Sequence, residues 1–273
     1  MRKKEKIDYI YCTAQKEKWQ WNVVREHDLC MLHIEFGNLT SGKRKRTMRK
    51  LLRRFCMKDV VIGADAQAAE RMEITGQMFA AKQAEFLRNQ DYITERLSEQ
   101  IRQTQKERSS LLIVIEDPHW GRREFVQCIL AAKDHFRDIA IWTIGAIRNV
   151  ENILADIYEE WGLAIEILGA EQVKGRHFQM AFLFVDKRNA SVQTCCSYDV
   201  AYLVGDATQR ERTQCIDGKG RIYAGLRYQI NGRGVRGDYI RNLEFQRPEV
   251  YQKKGVSIVA ICEAECYNES NRD

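Results

Sequence analysis

The sequence predicts an open, mostly parallel α/β sheet with helices on both faces. Three observations carry this. Residues 111–168 alternate short apolar runs with amphipathic stripes. The spacing leaves room for one helix in each crossover. Pro and Gly stand at the joins.

Leu111–Ile115 is an unbroken apolar run containing two Ile and one Val, as suits a strand covered on both faces. Pro118 brings no N–H and closes that strand. Phe125, Ile129, Ala132 and Phe136 are spaced for one helix face, with Cys128 beside them. Ile139–Thr143 is the second strand, ending near Gly145. Asn149 is a good N-cap for the next helix, whose stripe is Val150, Ile153, Leu154, Ile157, Tyr158 and Trp161. Gly162 stands where a C-terminal glycine cap belongs. Leu163–Leu168 is the third strand. Parallel neighbours need such helical crossovers, which are right-handed, so this region reads as Rossmann-like. Further strands are expected at Phe178–Val185, Val200–Val204 and Val256–Cys262. The last is expected to be antiparallel, because Tyr239–Phe245 before it promises only a helical turn.

Residues 1–64 form a weaker alternating segment, expected to join the same sheet. Its strands are Ile7–Cys12, Leu29–Phe36 and Val60–Ile62, with a basic helix within Ser41–Phe55. Residues 65–109 are helix-forming and free of Pro, and Gly76 is the expected break. Met72, Phe79, Phe86 and Ile93 recur at an interval of seven, but their companions Thr75, Lys82, Asn89 and Arg96 are polar. That pattern predicts helices laid along the sheet, with a homo-oligomer contact through residues 66–108 as the sharper alternative. Residues 110–273 make up the core, followed by an irregular C-terminal region. That region includes a turn at Ile216–Arg221, a Gly-Arg loop at Asn231–Gly237 and a frayed end at Ser270–Asp273.

At 44% apolar, the 273-residue chain can build a normal core. No run approaches the roughly 18 apolar residues of a membrane span. The charged start Met1–Asp8 lacks the layout of a secretory signal, so a cytoplasmic location is expected. Of the nine cysteines, Cys128 falls on a core helix face and Cys12, Cys30 and Cys262 in apolar strand-like runs, and these read as buried thiols. Cys262-x-x-x-Cys266 and Cys195-Cys196 come nearest to metal-ligand spacing, and no Cys-x-x-Cys occurs, so no metal is expected.

Open α/β sheets bind ligands beyond the carboxyl ends of their strands. There the sequence offers Asp117, His119, Arg122 and Arg123 after the first core strand, Thr143 after the second and Asp206 after a later one. Arginines at a helix entrance attract anions, and His119 with Asp117 could exchange protons near neutral pH. No Gly-x-Gly-x-x-Gly or Gly-x-x-x-x-Gly-Lys-Ser/Thr occurs, and Pro, His and Trp fill the first turn. An ordinary nicotinamide or P-loop nucleotide site is therefore not expected, and no cofactor is assigned.

The second candidate is the basic helix. Lys43, Arg44, Lys45, Arg46, Arg49, Lys50, Arg53 and Arg54 stand together without an acid, while Met48, Leu51, Leu52 and Phe55 share the other face. Removing these eight from the 44 basic residues leaves 36 against 38 acidic, so the net charge of +6 belongs to this one segment. Such a face suits nucleic-acid phosphates or another polyanion. The leading expectation is a small anionic or nucleotide-like ligand with a regulatory role. The runner-up is a nucleic-acid-associated protein using residues 43–54, and the third is an α/β enzyme with His119 and Asp117 as its acid–base pair.

Overall fold

The computed structural model describes residues 7–26, 29–55, 60–102, 109–116, 120–144, 149–185, 197–204 and 220–263. The chain begins with β1 (Tyr9–Thr13), β2 (Gln20–Glu26), β3 (Leu29–Glu35), α1 (Ser41–Arg54) and β4 (Val61–Ala64). Three helices follow: α2 (Ala66–Met72), α3 (Thr75–Arg88) and α4 (Gln90–Arg102). The alternating core is β5 (Ser110–Ile115), α5 (Arg122–Ala132), β6 (Asp138–Thr143), α6 (Val150–Trp161), β7 (Glu166–Ile167), α7 (Ala170–Lys174), β8 (His177–Phe184) and β9 (Ser197–Leu203). The chain closes with β10 (Arg221–Ile230), β11 (Arg233–Val235), α8 (Gly237–Gln246), α9 (Pro248–Tyr251) and β12 (Val256–Glu263). Two compact units result. Residues 1–81 and 226–260 form unit 1, and residues 82–225 and 261–273 form unit 2.

In unit 1 the strand order is β2-β3-β1-β4. β1 lies parallel to both β3 and β4, and β2 runs antiparallel to β3. The strands of the first 64 residues thus pair among themselves rather than extending the sheet of residues 111–168. β2 has no counterpart in the expected strands: it alternates Trp21 and Val23 with polar Gln20 and Asn22, a weak signal for a half-exposed edge. On one face Ile10, Cys12, Leu32 and Ile34 pack with Leu51, Ala68, Ala69 and Met78, and Met48, Leu52 and Phe55 of α1 join them. The register pairs Tyr11 with His33 and Thr13 with Glu35, so these four side chains share the opposite face. α8 packs on that face: Tyr239 meets Tyr9 edge-on at 5.3 Å, and the Tyr9 hydroxyl donates to Asp238 Oδ2 at 3.1 Å. α8 is a helix of 10 residues, not a turn, because Tyr239, Ile240 and Leu243 form a buried stripe.

The helical segment breaks before Gly76. Glu73 adopts the left-handed conformation (φ 62°) and ends α2, so Gly76 falls inside α3. A second break follows α3, where the Asn89 side chain donates to the Glu85 carbonyl at 2.7 Å.

In unit 2 the strands run β10-β9-β8-β5-β6-β7, with every neighbouring pair parallel. Counted within the unit, β5 is first and β10 sixth, which gives 3-2-1-4-5-6 read from β7, the doubly wound order. β5 is the central strand, and Leu111–Ile115 are buried. α5 buries Phe125, Cys128, Ile129 and Ala132, and α6 ends on left-handed Gly162 (φ 66°), both as the periodicity predicts. Asn149 differs from expectation: it is itself left-handed (φ 58°), and its side chain makes no capping bond. The third strand shortens to Glu166–Ile167, an exposed edge that pairs with β6 at two positions only. Phe86 lies 4.9 Å from Phe182, 5.0 Å from Phe184 and 5.3 Å from Tyr202 between ring centroids. With Ile93 equally buried, two of the four seven-spaced residues are spent inside unit 2 rather than left for a second chain. Among the described residues no helix is long and apolar enough to cross a membrane.

Candidate functional site

The strand order puts the topological switch point of unit 2 between the carboxyl ends of β5 and β8, where doubly wound proteins seat their ligands. Trp120 occupies this position. It is 3% exposed, with ring centroids 4.5 Å from Phe184 and 5.3 Å from Phe125. The Gly121 N–H that opens α5 donates to Glu124 Oε2 at 3.1 Å. A carboxylate of the chain itself therefore stands at the helix N-terminus, the place a bound pyrophosphate would take.

Arg122 leans away towards α6: its Nε is 3.5 Å from Asp156 Oδ2, it pairs with Glu160, and its guanidinium lies 6.0 Å from the Trp161 ring. Arg123 is exposed and Thr143 half-buried at the end of β6. Asp117, His119 and Asp206 lie outside the described residues. A groove of about 450 Å³ lies at the opposite, amino ends of the strands, lined by Arg137, Asp138, Glu166, Arg176 and Phe178 among others.

α1 presents the second candidate surface. Its apolar residues are spent on the unit 1 core, and seven of its eight basic residues are exposed, with Arg44 half-buried. Among the described residues none of the eight has a carboxylate partner. Arg54 stacks on Trp21 at 4.9 Å. Arg46 and Arg53 each stand three or four positions from both Arg49 and Lys50, the helical spacing at which like charges repel. Lys43, Arg44, Lys45 and Arg46 crowd the N-terminal end, which has no acid in its first turn and favours anions. The charge therefore opposes the helix that carries it. At about 1.5 Å per residue, the stripe from Lys43 to Arg54 runs roughly 17 Å.

A third set converges at the carboxyl edge of the unit 1 sheet. The Thr13 hydroxyl donates to Glu35 Oε2 at 2.8 Å, and Thr13 Oγ1 lies 2.9 Å from His33 Nε2. Glu35 is buried, and its other oxygen accepts from the Gly37 N–H at 3.2 Å. Gly37 needs its left-handed φ of 52° there, and a Cβ would strike the Glu17 carbonyl at 2.5 Å. Tyr11 is flanked by His33, 6.0 Å away between ring centroids, and by the Arg236 guanidinium, 4.7 Å above its ring. Arg236 also grips Asp238 through two bonds of 3.0 and 3.1 Å. Burial holds the His33 imidazole below its ordinary pKa, Arg236 and Lys16 push the same way, and Glu35 and Asp65 oppose them. Sequence reasoning passed over this set. The signal was present: His33 and Glu35 are two polar residues, two apart, at the end of an otherwise apolar strand.

Strand order and parallel pairing together define an α/β protein of the Rossmann-like class. No family model matches the chain, and no curated protein does. Among solved structures it is similar to an L-tryptophan dehydrogenase from Nostoc punctiforme, with TM-score 0.42 and 10% identity over 90% of this chain and 78% of that one. It is also similar to a branched chain amino acid ABC transporter from Thermus thermophilus with bound valine, with TM-score 0.35 and 10% identity over 90% of this chain and 72% of that one. Likeness at this level assigns neither ligand nor reaction.

Proposed function

We propose that this Rossmann-like protein is nucleic-acid-associated and engages phosphate backbones through the exposed face of α1. The observation that carries the reading is the stripe of eight cations, without carboxylate partners among the described residues, on a helix they destabilise. A bilayer is the weaker target. Interfacial helices bury their apolar face in lipid, whereas Leu51, Met48, Leu52 and Phe55 are committed to the unit 1 core. Fluorescence anisotropy with labelled duplex DNA and single-stranded RNA tests the proposal. Affinity should fall steeply with salt, by about 0.9 log units per log unit of salt for each duplex phosphate neutralised. It should vanish in an R46E/R49E/K50E variant, and no binding by the parent at low salt sinks the idea.

The second reading is a small anionic ligand at the carboxyl edge of unit 1, favoured by the half-exposed His33 beside Tyr11. The sequence favours a regulatory role because no nucleophile–base pair, carboxylate pair or metal cluster stands out in it. The Thr13 hydroxyl gives its one proton to Glu35, so its contact with His33 is one that it accepts, and the pair supplies no activated nucleophile. A thermal-shift screen of small carboxylates and phosphates should give stabilisation that His33→Gln removes, and an equal response from parent and variant discards the site.

A further inference from the structure

We infer that the nucleic acid engaged by α1 is single-stranded, with Trp19 as the platform on which its bases stack. This rests on the first reading above, that α1 binds phosphate backbones.

Trp19 directly precedes β2 and is 41% exposed. Among the described residues of 1–64 it is the one large apolar side chain left in the open. The core of unit 1 is built without it. Trp21, two residues further on, packs against that core together with Met48, Leu52 and Phe55 of α1.

The segment that carries Trp19 is fastened beside α1 at two points. The Asn38 N–H donates to the Glu17 carbonyl at 3.0 Å, two residues before the Thr40 N-cap. Gly37 is equally close: a Cβ there would stand 2.6 Å from the Lys18 carbonyl carbon and 2.7 Å from the Trp19 nitrogen. At the other end of the helix, the Arg54 guanidinium lies 4.9 Å above the Trp21 ring, and Phe55 meets that ring edge-on at 5.6 Å. Trp19 therefore lies between a contact with the residues that lead into α1 and a contact with those that end it. Lys16 and Lys18 are exposed in the same segment, against Glu17 as its one acid.

A row of cations and an open aromatic face are the two parts of a single-strand site. The cations hold the backbone, and the ring takes a base that has no pairing partner. In a duplex the bases already stack on one another, so their faces are closed to a side chain and an exposed indole adds nothing. A duplex is read by sequence through base edges in its grooves, adenine by Asn or Gln, and α1 contains neither. Stacking accepts every base, because each has a π-face. The ligand class is thus single-stranded RNA or DNA without strict sequence preference.

Fluorescence anisotropy with the full-length protein tests this, using labelled oligomers of about 12 nucleotides. The probes are oligouridine, oligothymidine, a DNA duplex of the same length, and an abasic single strand that keeps the phosphates and lacks the bases. The parent should bind the two base-bearing single strands about 10-fold tighter than the duplex or the abasic strand. Trp19→Ala should remove that advantage and leave the duplex and abasic affinities as they were. Trp19→Phe, which restores an aromatic face, should keep most of it. The tighter of oligouridine and oligothymidine names the natural strand as RNA or DNA, and either satisfies the inference. Equal affinity for single strands and duplex, or a Trp19→Ala variant that binds single strands as the parent does, overturns the stacking site and leaves the α1 reading standing. No binding to any probe at low salt overturns both.

Discussion

A methyl group on Gly63 would come within 1.8 Å of the Tyr9 hydroxyl. Tyr9 is fully buried, held by its bond to Asp238, and the Asn242 side-chain nitrogen lies 3.1 Å from the same point. No slack is available on this side of β4. Gly63→Ala should therefore destabilise the protein by about 1–3 kcal/mol through overpacking. Chemical denaturation measures it, and a variant as stable as the parent would mean that Tyr9 has somewhere else to go.

Thr94 is completely buried on α4, and its hydroxyl has no hydrogen-bond partner among the described residues. An unmet buried polar group costs about 1–3 kcal/mol. Thr94→Val keeps the shape and removes the hydroxyl, so it should raise stability by about 1 kcal/mol. A loss instead would indicate an ordered water bonded to Oγ1.

Charge reversal on α1 should act in opposite directions on fold and binding. Arg44→Glu or Lys45→Glu places an acid near a helix start that has none. It also removes like-charge repulsion, for a gain of about 0.5 kcal/mol. The same changes should weaken nucleic-acid binding and flatten its salt dependence. If melting temperature and affinity fall together, the cations serve the fold.

The pH response of unit 1 follows from His33. Burial lowers its pKa below the ordinary 6.5 in the folded protein. As pH falls through 6.5 the unfolded chain takes up a proton that the folded chain refuses, so stability declines until the lower folded value is passed. Denaturation between about pH 5 and 7.5 should show this decline. His33→Gln should flatten it, and an unchanged slope would assign the effect to other groups.

The opposite limb belongs to Tyr9, whose pKa burial and Asp238 raise well above 10.0. In alkali the unfolded chain loses that proton first, so stability drops above about pH 10. Tyr9→Phe should lessen that drop.

The core of unit 2 was legible because its strands are covered on both faces and its helices carry regular stripes. Leu111–Ile115, the α5 face and Gly162 each behave as their local pattern demands. What local pattern cannot reveal is which strands become neighbours. The placement of β5 beside β8, which makes the switch point, joins residues about seventy apart. Arg122 looked available for an anion because its partners, Asp156 and Glu160, sit on a different helix. The Thr13–His33–Glu35 set escaped for the same reason: its residues lie on two strands separated in sequence by the whole of β2. The basic stripe on α1 was readable because both its charge and its apolar anchor are local.

The bond from Tyr9 to Asp238 spans 229 positions of the chain. The ribosome makes β1 long before the helix that covers its outer face, which emerges only after all of β5 to β9 has been synthesised. Unit 1 cannot finish folding until residue 246 has been made. A nascent chain stalled before residue 237 would expose the Tyr9–Tyr11 face, and a separately expressed fragment ending at residue 81 would lack its lid for good.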